Sequence, residues 1–185
     1  MKKIALALLL LPAMSFADNV NFVGVEYGIG SDSVDTVGGI GYESVIVDKL
    51  SVGINYTDIH YDDGSKYDFV EVNVDYAFGS FSTGSLYTGL GTVMPYNEEG
   101  DILDGVIQSS PSAHDDLSTA VSAGFSKRSG EGLDYDMAVV FVDNYKLYTA
   151  SLRAALGKSG LGLTYAVKKA DGGIALVSLG LNLTF

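Results

Sequence analysis

The sequence predicts an all-β fold: a closed, antiparallel, up-and-down transmembrane β-barrel of ten strands, with eight as the alternative count. Three observations carry this reading. The chain ends in a strand, Ile174 to Phe185, in which Ala175, Val177, Leu179, Leu181, Leu183 and Phe185 form one apolar row. Ser178, Gly180, Asn182 and Thr184 form a small or polar row on its other face. Side chains of a strand alternate between faces, so this strand is apolar on the outside and polar on the inside. The chain begins with an export signal. No later stretch is apolar for long enough to span a bilayer as a helix, so spanning requires a closed barrel, which satisfies every backbone group without water.

The export signal has three parts. Met1-Lys2-Lys3 is a cationic start, Ile4 to Leu11 an apolar core, and Ser15-Phe16-Ala17 a cleavage site of small-x-small form. Residues 1–17 read as a cleaved signal peptide and 18–185 as one barrel domain. The apolar core is too short for a helical anchor, which needs about 20 residues. The chain carries a net charge of −12, and loss of Lys2 and Lys3 makes the exported part more acidic still. That balance argues against nucleic acid, whose phosphates require Lys and Arg patches. The absence of cysteine excludes disulfides and thiol chemistry.

Between the ends, strands alternate with turn signals. Strand one, about Val20 to Ile29, sets Val23, Val25, Tyr27 and Ile29 against Phe22, Gly24, Glu26 and Gly28. Strand two, about Thr36 to Ile46, sets Ile40 and Tyr42 against Gly39, Gly41 and Glu43. Strand three shows Leu50, Val52, Ile54 and Tyr56 against Ser51, Gly53, Asn55 and Thr57, and Asp62-Asp63-Gly64-Ser65 turns it. Strand four has the most complete alternation, with Val70, Val72, Val74, Tyr76 and Phe78 opposed to Glu71, Asn73, Asp75 and Ala77.

Strand five, about Ser85 to Val93, is weaker, and a long connection, Met94 to Leu117, follows it. Strand six places Val121, Ala123 and Phe125 against Ser122, Gly124 and Ser126. Strand seven sets Tyr135, Met137, Val139 and Phe141 against Asp134, Asp136 and Ala138. Strand eight puts Tyr148, Leu152 and Leu156 outside, with Thr149, Ser151 and Arg153 inside. Strand nine opposes Leu161, Leu163, Tyr165 and Val167 to Gly162, Thr164, Ala166 and Lys168. With the amino end periplasmic, the long connection and the turns near Asp32, Asp62, Asp143 and Asp171 fall outside the cell. The short turns near Lys49, Phe81, Arg128 and Lys158 fall on the periplasmic side. Aromatics gather near both strand ends, as interfacial belts do: Tyr27, Tyr56, Phe141, Tyr148 and Tyr165 at one, Tyr42, Phe78, Phe125, Tyr135 and Phe185 at the other.

The signal peptide, the alternating strands and the terminal Asn182-Leu183-Thr184-Phe185 resemble the small Gram-negative outer-membrane barrels of the OmpA, OmpX and opacity type. Chain length, glycine-rich strands and acidic glycine loops resemble the YfaZ-like group within them. The resemblance covers the whole exported chain and implies an outer-membrane location. It also implies that Leu181, Leu183 and Phe185 form the signal read by the barrel-assembly machinery, with periplasmic chaperones as partners during biogenesis. Outer-membrane lipid and lipopolysaccharide are the expected surroundings, and no cofactor is expected.

The predicted inward face carries Glu26, Glu43, Glu71, Asp75, Asp134 and Asp136, with Arg153 and Lys168 as its cations. Two readings stay open. In one, Arg153 bridges several carboxylates and closes a largely filled lumen, as the small bore of such barrels favours. In the other, the acidic excess lines a small cation-selective channel. The inward glycines either leave room or mark bends. The acidic loop residues Glu98, Glu99, Asp101 and Asp104 are weak metal candidates, since hard divalent cations take oxygen ligands and the spacing is not that of a dedicated calcium loop.

Catalysis is the remote alternative. Asp58-Ile59-His60 resembles the Asp-x-His pair of the ten-stranded omptin proteases, but Asp62-Asp63 lies in the same loop and does not supply an opposite acidic wall. The His-x-Ser pattern of lipid A deacylase barrels is absent, and the two histidines, His60 and His114, build no nucleophile–base set. The leading expectation is a non-enzymatic outer-membrane barrel with a structural or surface-interaction role. A soluble lipocalin-type barrel would need the apolar row inside instead. Protein taken from the membrane fraction is expected to begin at Asp18, to require detergent for extraction, and to migrate differently before and after boiling. Amino-terminal sequencing and paired gels check this; release of the processed chain by osmotic shock contradicts it.

Overall fold

A computed structural model describes residues 20–31, 33–47, 49–95, 118–129, 132–142, 145–171 and 175–185. The signal peptide, the turn residues Asp32 and Asp143, and Glu98, Glu99, Asp101, Asp104 and His114 lie outside the described residues. Ten strands are present: β1 (Val20–Gly30), β2 (Val34–Val47), β3 (Leu50–Tyr61), β4 (Lys66–Phe81), β5 (Gly84–Pro95), β6 (Ser118–Lys127), β7 (Leu133–Val142), β8 (Tyr145–Ala155), β9 (Leu161–Ala170) and β10 (Ala175–Thr184). Each pairs antiparallel with its sequence neighbours, and β1 pairs with β10, so the sheet closes as an up-and-down barrel. Ten, not eight, is the strand count.

Closure is made by backbone. β1 and β10 pair in unbroken register from Phe22↔Thr184 to Gly30↔Leu176. Beyond the ladder, the Asn21 N–H donates to the Phe185 carbonyl at 3.0 Å and the Phe185 N–H to the Asn21 carbonyl at 3.1 Å. The last residue is therefore inside the hydrogen-bonded seam. Both ends of the barrel chain lie at one rim, the terminal end. β5 ends and β6 begins at the opposite rim, the loop end.

Cross-strand partners share a face, so the registers fix which residues point out. Val25 pairs with Ile40 and Leu181, and Leu179 with Tyr165. These rows are exposed: Leu179 is 67% accessible, Leu90 65% and Tyr27 64%. Buried inward positions include Thr57, Asp75, Asp134, Ser178 and Asn182. Polar residues inside and large apolar residues outside invert the arrangement of a water-soluble barrel, and so continuous an apolar surface matches lipid. At the terminal end the outward rings of Phe81, Phe125 and Tyr135 form a chain with centroids 6.3 and 5.8 Å apart. The Tyr135 hydroxyl donates to the Thr83 carbonyl in the adjoining turn.

Turn chemistry is local. Gly64 takes φ +84° in Asp62-Asp63-Gly64-Ser65, a conformation that suits glycine. The Ser65 hydroxyl and N–H both donate to Asp63 Oδ1, which holds this exposed carboxyl below its ordinary range.

The strands run past the polar-inward pattern at the loop end. β4 begins at Lys66, well before the alternation that starts at Val70, because its inward residues there are Tyr67 and Phe69. A β-bulge between Val34 and Thr36 puts both Val34 and Val37 on the inner face. Val34, Val37, Ile59, Tyr61 and Tyr67 form one buried apolar cluster, and Val93, Ala120 and Val142 another. Phe69 packs against both, so the two join across the loop end of the lumen. The inner face is thus polar through the middle and terminal end but apolar at the loop end.

An arginine at Leu179, near the middle of the outward belt, is expected to destabilise the barrel by about 2–4 kcal/mol, the range for a cation at the bilayer midplane. Reversible urea unfolding of Leu179→Arg in lipid vesicles measures this; an unchanged midpoint contradicts the lipid-facing assignment.

Candidate functional site: the lumen charge cluster

The inner row of β6 runs Ala120, Ser122, Gly124, Ser126, and the next residue in that parity is Arg128. It stands just past the strand end, and its side chain turns into the lumen. Arg128 Nε lies 2.9 Å from Glu43 Oε1, while Nη2 lies 2.7 Å from Asp136 Oδ2 and 3.2 Å from Asp75 Oδ2. Nη1 donates to Ser51 Oγ. The guanidinium also sits over the Tyr87 ring, 4.7 Å from its centroid. One cation thus joins β2, β3, β4, β5 and β7 across the bore. A planar, forked donor set makes this possible, since each N–H can meet a different oxygen.

The carboxylates are held from behind as well. Tyr87 Oη donates to Asp136 Oδ1 at 2.9 Å, Asn73 Nδ2 to Asp75 Oδ2 at 3.1 Å, and Ser122 Oγ to Asp75 Oδ1 at 3.3 Å. Glycines on the adjoining strands give these side chains their space. A Cβ at Gly89 would meet Asp75 Oδ1 and Ser122 Oγ, and one at Gly124 would meet the Tyr87 hydroxyl end. Asn55 lies against Gly41 and Asn73 against Gly53 in the same way. At these positions the inward glycines accommodate a neighbouring strand's polar side chain.

Arg153, the residue expected to bridge several carboxylates, meets one. Its Nη2 lies 2.6 Å from Glu43 Oε2, and its guanidinium covers the Phe22 ring at 4.5 Å. Its place on β8, opposite Asp134 and Thr164, aims it across the seam toward β1 and β2 and away from Asp75 and Asp136. Asp134 shares the inward row of β7 but works in the turn, where its Oδ1 accepts from Ser129 N–H at 2.9 Å and Ser129 Oγ at 2.7 Å. That clamp fixes the residue next to Arg128. Further toward the loop end, Lys168 Nζ lies 3.9 Å from Glu26 Oε1, and Ser178 Oγ donates to Glu26 Oε2 at 2.8 Å. Glu71 lines the same space.

Two cavities flank the Arg128 cluster. One of about 270 Å³ occupies the mid-lumen and is lined by Glu26, Glu43, Glu71, Arg153 and Lys168. The other, of about 250 Å³, opens toward the terminal end and is lined by Lys49, Phe81 and Ser126. Arg128, Asp75 and Tyr87 border both, so these three form the partition.

Asp58 and His60 do approach each other, with His60 Nε2 3.0 Å from Asp58 Oδ2. They lie on the outward row of β3, with Tyr56 donating to Asp68 at 3.0 Å beside them. They are separated by the sheet from the lumen cavities. Among the described residues no group of three or more His, Cys, Asp or Glu is placed to hold a metal ion. Leu181, Leu183 and Phe185, the residues expected to form an assembly signal, stand on the outward row that continues β10.

Removing Arg128 leaves Glu43, Asp75 and Asp136 without their shared cation. Arg128→Ala is expected to destabilise the barrel by about 3 kcal/mol, as loss of one member of a buried ion cluster does. Arg153→Ala, which leaves Arg128 on Glu43, should lose less. Urea unfolding in vesicles compares them; equal losses contradict the assignment of Arg128 as the central cation.

No protein-family model matches the chain, and no curated protein matches it by sequence. Solved structures match it by shape. A KdgM porin superposes over 89% of this chain and 99% of its own, with a TM-score of 0.51 and 8% identity. The N-terminal β-barrel domain of Pseudomonas aeruginosa OprF matches over 91% and 98%, with a TM-score of 0.42 and 10% identity. Neisserial surface protein A matches over 90% and 97%, with a TM-score of 0.39 and 11% identity. At such identities the likeness is one of fold, and nothing in it singles out the YfaZ-like group. The chain has the closed antiparallel β-barrel fold seen in the KdgM porin.

Proposed function

We propose that this is an exported Gram-negative outer-membrane protein, cleaved after Ala17, whose barrel is closed in its ground state. Its role in this reading is structural, or one of surface interaction through its loops. The observation that carries the reading is the Arg128 partition, a single guanidinium joined to three carboxylates between two cavities. The apolar contacts through Phe69 support it, because they bring the two buried clusters together across the loop end of the lumen. The outward position of Asp58 and His60 favours a non-enzymatic barrel. Leu181, Leu183 and Phe185 serve as the assembly signal in this reading, and lipopolysaccharide as surrounding lipid.

A second reading is a small cation-selective channel that opens when the partition breaks. Among the described lumen residues Glu26, Glu43, Glu71, Asp75 and Asp136 outnumber Arg128, Arg153 and Lys168, which favours cations. Planar-bilayer recording of refolded protein separates the two. The closed barrel predicts a silent wild type and, in Arg128→Ala, small cation-selective openings. Frequent stepwise openings of the wild type, lost on neutralising Glu71 and Asp75, would establish the channel instead.

A further inference from the structure

The outward face of β7–β10 carries almost no charge, and where it does the charge is positive. Among the described outward positions of these four strands, the charged ones are Lys146 on β8 and Lys169 on β9, both at the loop end. Tyr148 is the cross-strand partner of Lys169, and Lys146 precedes Tyr148 by two positions. The lysines are therefore diagonal neighbours on one face, about 7 Å apart at the backbone. Both are exposed. Lys146 lies 6.0 Å from the centroid of the outward Phe141 ring, and neither lysine meets a carboxylate among the described residues, Asp171 included.

The other charged rim patch is different. On β3 and β4 the outward Asp58, His60, Lys66 and Asp68 mix both signs of charge, with His60 Nε2 3.0 Å from Asp58 Oδ2 and the Tyr56 hydroxyl donating to Asp68. In a chain of net charge −12, two adjacent cations stand out at the edge of the lipid-facing belt; Asp171, whose N–H donates to the Lys146 carbonyl at 2.8 Å, is the acid beside them and forms no ion pair with either. An ammonium directly above a row of Tyr148, Tyr165 and Leu163 sits at headgroup depth, where its long stem rests on apolar surface and its charge reaches the interface.

We propose that Lys146 and Lys169 form a docking site for the phosphorylated headgroup of a glycolipid in the leaflet at the loop end. The acyl chains would lie along Tyr148, Leu152 and Tyr165, and the phosphate would bridge both ammonium groups. This rests on the membrane-barrel reading above and adds a specific lipid contact to it.

The test uses full-length processed protein refolded in zwitterionic detergent and offered lipid A, a phosphorylated glycolipid, with native mass spectrometry counting the lipid retained. The wild type is expected to retain lipid A and the Lys146→Gln/Lys169→Gln variant to retain at least about tenfold less. Lys127→Gln, at the terminal end, and Lys146→Arg/Lys169→Arg should behave as wild type. Equal retention by the double glutamine variant overturns the proposal, as does equal retention of a dephosphorylated lipid A by the wild type. Heat-modifiable migration and vesicle insertion of every variant are measured in parallel. Insertion with unchanged lipid retention defeats the docking site alone, whereas failure of the wild type to insert defeats the barrel reading.

Discussion

Hydrocarbon offers a peptide group no hydrogen-bond partner, and the rest of this structure depends on that constraint. A strand that enters it must be paired on both edges, since each unsatisfied N–H or C=O costs several kcal/mol there. The chain meets the requirement by joining β1 to β10, with the Asn21–Phe185 pair finishing the seam. Closure in turn fixes parity. Once Val25 stands opposite Leu181, every alternate residue around the ring is committed to lipid or to lumen. Exposed Leu179 and Leu181 and buried Ser178 and Asn182 then follow from one registration.

The same commitment creates the lumen's electrostatic problem. Inward parity places Glu43, Asp75 and Asp136 on three different strands that converge on one bore, surrounded by sheet and lipid. Carboxylates in that setting need cations and donors. Arg128 supplies the cation from a turn, Tyr87, Asn73 and Ser122 supply the donors, and Gly89 and Gly124 supply the space. The Ser129–Asp134 clamp ties the turn to β7. The loop end solves its version without charge, by apolar contact through Phe69.

Much of this was legible in the sequence and some was not, for physical reasons. Alternation in β4 and β10 is a property of successive residues, so the strands and their outward rows could be read directly. The polar inward residues Glu26, Glu43, Glu71, Asp75, Asp136, Arg153 and Lys168 could be placed in the lumen from the same parity. Which cation meets which acid depends on the rotation of strands around the ring, and that put the bridging role on Arg128 instead of Arg153. The signal for Arg128 was present, because it continues the inward row of Ser122, Gly124 and Ser126 past the strand end. A turn assignment hid it. The apolar loop end was hidden differently: Tyr67 and Phe69 face inward but break the polar row, so β4 seemed to begin late. The bulge beside Val34 is a matter of pairing and leaves no mark in one strand's sequence.

The central claim is that the apolar rows touch lipid and the polar rows do not. Because the chain has no cysteine, single cysteines at Leu179 and Ser178 can each carry one spin label without background. In vesicles, the label at Leu179 should relax faster with membrane-dissolved oxygen and be shielded from an aqueous nickel chelate, while the label at Ser178 should be far less accessible to oxygen. Ready access of the nickel chelate to Leu179, with oxygen favouring Ser178, would contradict the account.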